Sequence, residues 1–228
     1  MPIAPGDVGL FIRSARSDAR LTGFRETETC PQAFDRLYAT AQDNDPWASA
    51  STRYAYQRRK YDKLAALLPK RRFARALDLG CGLGLFAERL TDIADEVTGL
   101  DVSAVAIGAA AERTRHLPQL GYVQGDLKAL DPALCGQFDL VTVADTIYYL
   151  PPPIDDVVLK AVVPRIAALL RPGGLLLVAN HYFFRMDPES RLSRRIQRAF
   201  YWSPALVPVA EHRRAFFLAS LFAAPSLA

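Results

Sequence analysis

Cysteine, methionine, tryptophan and histidine are all scarce in this chain of 228 residues, with three, two, two and three of each. Cys30, Cys81 and Cys135 are odd in number and far apart. They give neither a disulfide framework nor the close pairs that hold a metal, so no metal site is expected and a reduced, cytoplasmic setting is. No stretch of about 18 apolar residues occurs, which argues against a membrane span. The N-terminus lacks a basic segment followed by a short apolar run and a cleavage site, so no signal peptide is expected. The apolar segment from Ala215 to Ala224 is too short to anchor and reads as a strand. A strong charge of one sign is also lacking: the formal net charge is +4, with 23% of residues charged. A surface of that kind suits neither a nucleic-acid nor a membrane partner. Internal repeats and low-complexity tracts are absent.

Apolar residues make up 50% of the chain, enough for one sizeable core. Residues 1–30 mix Pro, Gly, Ser and Arg with little periodicity, and are expected to be a poorly ordered extension or a lid. A single domain is expected over 31–228. It begins with capping helices over 31–70. Ala33, Phe34, Leu37 and Tyr38 share one helical face, and the Asp43–Trp47 cluster ends that helix. The next helix spans about Thr52 to Leu68 and carries Tyr54, Tyr56, Arg58, Arg59, Lys60 and Tyr61.

The chain is organised around Ala76-Leu77-Asp78-Leu79-Gly80-Cys81-Gly82-Leu83-Gly84-Leu85-Phe86. A short apolar run reads as a buried parallel strand, three glycines follow at alternate positions, and a helix begins. Glycine lets backbone approach a ligand closely. The spacing is G-x-G-x-G, with Leu85 where the dinucleotide fingerprint has its third glycine. Asp78 would repel a pyrophosphate but could accept hydrogen bonds from an ammonium. Asp101 ends the second strand, 23 positions after Asp78, where an acidic residue accepts both ribose hydroxyls. Ser103 caps the helix after it. Further strands are expected at 120–125, 137–145 and 175–180, with a tight turn at Arg171-Pro172-Gly173-Gly174. A helix is expected over 157–170. Pro188 to Trp202 reads as a basic amphipathic helix with a solvated face, and 206–211 with 215–222 as a closing strand pair. His181-Tyr182-Phe183-Phe184 lies at a strand end on the ligand side.

The glycine stretch closely resembles the first motif of class I S-adenosylmethionine (SAM)-dependent methyltransferases. Leu169-Leu170-Arg171-Pro172-Gly173-Gly174, running into Leu176-Leu177-Val178, resembles a second signature of that family. The resemblance implies an α/β three-layer sandwich, with a Rossmann-like seven-stranded sheet ending in an antiparallel hairpin. It implies SAM as cofactor and S-adenosylhomocysteine as its product. Gly80, Cys81, Gly82, Gly84, Asp78, Asp101, Val102 and Ala144 would hold the cofactor. Asp126 would bond the adenine amino group and Leu127 would pack on the ring. Asp145, Tyr148 and Tyr149, just beyond the fourth strand, would face the substrate.

Asp45-Pro46-Trp47, the base-rich helix, the cradle, and Tyr148-Tyr149-Leu150 after Asp145 together resemble the nodulation protein S family, over about 34–180. That family N-methylates a deacetylated amino sugar. The likeness would put Trp47 and a base near Arg59 at the cofactor's methionine end. The chain has Asp145-Thr146-Ile147 where that family is expected to have Glu-Val-Leu. The expected partner is a small-molecule acceptor, most readily an amine, taken by a monomer or homodimer. Asp145 is the first candidate to orient or deprotonate it, with His181 second and Tyr148 beside them. A hydroxyl or phenol acceptor, or a non-catalytic SAM-binding subunit, are the alternatives.

Overall fold

A computed structural model of the chain describes residues 7–52, 55–183, 187–214 and 216–226. Tyr54, Phe184, Ala215 and residues 1–6 lie outside that set. Seven strands form one sheet in the order β3-β2-β1-β4-β5-β7-β6. They are β1 (Phe73–Leu79), β2 (Ala94–Asp101), β3 (Leu120–Gln124), β4 (Phe138–Ala144), β5 (Leu170–Tyr182), β6 (Val207–Arg214) and β7 (Phe216–Ala223). The first five run parallel, and β7 runs antiparallel to both β5 and β6. The helices are α1 (Asp7–Phe24), α2 (Cys30–Ala39), α3 (Ala55–Ala65), α4 (Leu85–Leu90), α5 (Ala104–Arg113), α6 (Asp156–Ala168) and α7 (Pro188–Tyr201).

The sheet has an apolar layer on each face, as strand alternation requires. Leu77, Leu79, Val141, Val143 and Val178 meet Leu159, Val163 and Ile166 of α6 and Ile196 and Phe200 of α7. On the other face Ala76, Leu140 and Leu177 meet Leu64 of α3 and Phe86 and Leu90 of α4. The strand order reverses between β1 and β4, so a crevice opens at their carboxyl ends.

Two expectations are corrected. The first concerns the poorly ordered half of the expectation for residues 1–30, because residues 7–24 form the 18-residue helix α1. Among its described side chains Leu21 is the apolar one deeply buried, beside Ala33, Phe34 and Leu37 of α2. Polar bonds to the loop after α2 supply the rest. Arg13 donates to the Asp45 carbonyl at 2.6 Å and Ser17 Oγ to the Pro46 carbonyl at 2.5 Å. A helix held this way leaves little apolar periodicity to read. The second concerns Arg171-Pro172-Gly173-Gly174, which lies inside β5. Phe138 pairs with Leu170 and Leu140 with Leu175, so the extra residues bulge out of the ladder. Gly173 sits there at φ 73°, and Arg171 pairs with Asp139 of β4.

Candidate functional site

The β1–α4 turn carries three left-handed glycines, and two of them leave no room for a side chain. A Cβ on Gly80 would lie 2.1 Å from Thr146 Cγ2, and one on Gly84 would lie 2.1 Å from the Tyr122 hydroxyl. The turn is fixed from below: the Gly80 and Cys81 amides donate to the Leu100 carbonyl at 2.7 and 3.0 Å. Asp101 locks it to the next loop. Its Oδ2 accepts from the Gly82 amide at 2.8 Å and its Oδ1 from the Ser103 amide at 3.0 Å. Burial nevertheless pushes the Asp101 carboxyl upward.

Above this turn lies a cavity of about 370 Å³, in the size range of small-molecule sites. Gly80, Cys81, Gly82, Asp101, Val102, Asp126, Leu127 and Ala144 line one part of it. Trp47, Asp145, Tyr148 and His181 line the rest. The expected site residues that do not line it are Asp78, Gly84 and Arg59. Asp78 lies beneath the turn, because alternation along β1 turns it toward α4. Thr142 Oγ1 donates to it at 2.6 Å, the Ala87 amide also bonds it, and burial raises its pKa to about 7. Gly84 caps α4 and packs against Tyr122. Arg59 is exposed, and the base that enters the site is its neighbour Lys60, only 1% exposed. One residue turns a helix by about 100°, which separates the two.

Lys60 Nζ pairs with Asp145 Oδ2. Asp145 Oδ1 is buried and accepts no hydrogen bond from the described residues. Asp145 also holds φ 56°, a strained value for a residue with a side chain. Burial, with Asp145 as neighbour, pushes the Tyr148 hydroxyl well above the usual phenol range. His181 stands 4.3 Å from the Tyr148 ring, centroid to centroid, and its Nε2 is 3.2 Å from Glu189 Oε2 of α7. That contact lowers Glu189.

Sequence reasoning missed Asp18 of α1. Its Oδ1 accepts from Trp47 Nε1 at 2.8 Å and from the Tyr149 hydroxyl at 2.9 Å. Burial still raises its pKa, against those two bonds. The aromatic wall thus hangs from a helix more than a hundred positions from Tyr149, and no local pattern signals it. Phe34 and Tyr38 complete that wall.

Five carboxylates, from Asp18, Asp101, Asp126, Asp145 and Glu189, face the cavity, whose lysine, Lys60, is already paired with one of them. A ligand carrying a sulfonium and an ammonium suits this donor set, and a pyrophosphate does not. Among the described residues no group of acids, histidines and cysteines could hold a metal, and no helix is long and apolar enough to cross a membrane.

A mixed seven-stranded sheet with the cradle at its switch point is the fold of the class I SAM-dependent methyltransferases. The sequence profile of Nodulation protein S (NodS) matches residues 32–181, and the chain belongs to that family. It is 29% identical over 140 residues to Nodulation protein S of Bradyrhizobium diazoefficiens, covering 60% of this chain and 63% of that one. It is 41% identical over 120 residues to malonyl-[acyl-carrier protein] O-methyltransferase of Enterobacter lignolyticus, covering 53% of this chain and 44% of the relative. The chain thus spans about half the length of the curated O-methyltransferases it matches. Among solved structures, N-methyltransferase NodS from Bradyrhizobium japonicum WM9 in complex with S-adenosyl-l-homocysteine superposes with a TM-score of 0.71 at 24% identity. The match covers 87% of this chain and all of that one.

Proposed function

We propose that the protein is a SAM-dependent methyltransferase that methylates an amine on a small molecule. The observation that carries this reading is Asp145. It sits on the cavity wall with one oxygen held by Lys60 and the other, Oδ1, buried and accepting no hydrogen bond from the described residues in the geometry seen. SAM supplies an activated methyl group when bound. Asp101 would hold the ribose, Asp126 and Leu127 the adenine, and Gly80 to Gly82 the backbone close to the cofactor. An amine acceptor with a pKa of roughly 9–10 is protonated at neutral pH and must lose that proton before it can attack. Asp145 Oδ1 is placed to attract the ammonium and accept its hydrogen. Trp47, Tyr148 and Tyr149 exclude water around it.

A second reading is methylation of a hydroxyl or phenol. His181 with Glu189 would then act as base, and relatives named as O-methyltransferases match about half of this chain. Calorimetry with S-adenosylhomocysteine and with NAD tests the cofactor assignment. The first should bind and the second should not, and NAD binding alone would sink it. For the acceptor, Asp145→Asn should lower kcat by about 10²-fold on an amine with S-adenosylhomocysteine affinity unchanged. Loss on His181→Gln with none on Asp145→Asn would favour the hydroxyl reading.

A further inference from the structure

A second cavity, of about 700 Å³, runs between α6 and α7, away from the cradle. Arg191, Arg194, Arg195 and Arg198 line it from α7. Their spacing of i, i+3, i+4 and i+7 puts them on one helical face. Lys160 lines it from α6, and among the described residues Asp156 is the one carboxylate in the lining. Trp202 ends the row and is 79% exposed. The opposite face of α7, with Ser193, Ile196, Gln197 and Phe200, is buried against the sheet. Arg195 Nη1 donates to the Ile154 carbonyl at 3.4 Å, and the row lies on the face turned away from that packing. Among the described residues Arg191, Arg195, Arg198 and Lys160 make no ion pair with the chain's own acids. The apolar residues of its lining are the half-buried Ala199 and, almost fully buried in the core, Leu159 and Val163.

We propose that this groove docks an acidic amphipathic helix of a partner protein. Guanidinium forks match carboxylates in bidentate pairs. Carboxylates repeating every three to four residues on a helix would meet the arginine row in register. The apolar side of such a helix would cover Ala199, and Trp202 would serve as its anchor. Arg191 to Trp202 spans about 16 Å along α7, roughly three turns. A flat anionic membrane fits less well, because the cations line a concave groove and Trp202 is the exposed large apolar side chain in its lining. Glu189, two residues before Arg191, lines the first cavity from another face of α7.

The test uses the full chain and a labelled synthetic helix of about 16 residues, with glutamates at i, i+3, i+4 and i+7 and leucines opposite. A scrambled peptide of the same composition and vesicles containing phosphatidylglycerol serve as the other arms. Fluorescence anisotropy is read at low and at physiological salt. The patterned helix should bind at least about tenfold more tightly than the scrambled one. Arg195→Glu and Trp202→Ala should each weaken it several-fold, with circular dichroism unchanged. If either variant unfolds, Arg191→Glu and Arg198→Glu replace it. Equal binding of both peptides, binding of neither, or binding of the vesicles instead would overturn the proposal.

Discussion

Asp145 and Lys60 form one unit. Lys60 is almost fully buried, and removing one partner of a buried pair leaves the other charge without compensation, at a cost of about 3 kcal/mol or more. Asp145 keeps some solvent contact, with 20% of its side chain exposed, so the loss should fall at the low end. Lys60→Met should therefore lower Tm and also lower kcat on an amine, because Asp145 would no longer be held toward the cavity. Lys60→Arg should restore part of both. A full kcat in the Met variant would remove Lys60 as a positioning residue. Asp78 gives a separate, pH-dependent test. Its pKa is raised from an ordinary 3.8 to about 7. The native state then keeps a proton that the unfolded chain releases. That contribution to stability is present below about pH 4 and is lost as pH rises to about 7, at no more than about 1.4 kcal/mol per pH unit. Asp78→Asn should flatten this slope in urea midpoints measured from pH 4.5 to 7.5, and an unchanged slope would contradict the assignment.

At the scale of elements, α1 completes the cavity wall. Asp18 ties Trp47 and Tyr149 together, and Arg25 just beyond the helix donates to the Tyr149 carbonyl. Ala15→Pro would break α1 midway, at about 3 kcal/mol for the helix. The acceptor KM should then rise by more than S-adenosylhomocysteine affinity falls, because the proposed ribose and adenine contacts follow β2 and β3 and do not lie on α1. An unchanged KM would show that α1 is not part of the acceptor wall. The elements also show why some of the site was legible and some was not. The strand, glycine turn and helix lie within a dozen residues, and Asp101 follows one βαβ unit later. Short-range spacing therefore exposes them. Asp18, Lys60 and Glu189 reach the cavity only through tertiary packing. Arg59 was the readable base, but burial chose the neighbouring residue. Asp78 looked like a ligand group because it ends a strand, yet the pleat turns it to the other side.

At the scale of the molecule, charge is separated. A chain with net +4 lines one cavity with five carboxylates and another with five cations. The seven-stranded sheet and its closing hairpin were readable as a resemblance carried by motifs. The bulge in β5 and the helix at the N-terminus were not, because neither leaves an apolar period. The acidic cavity predicts preference for a cationic acceptor, falling with salt as surface electrostatics do. Methyl transfer to an amine is read directly by mass spectrometry of pooled amines and phenols incubated with the protein and SAM. We expect a gain of about 14 Da, one CH₂, on an amine, dependent on SAM and lost in Asp145→Asn. A gain on a hydroxyl alone, or no gain on any acceptor while S-adenosylhomocysteine binds, would contradict it.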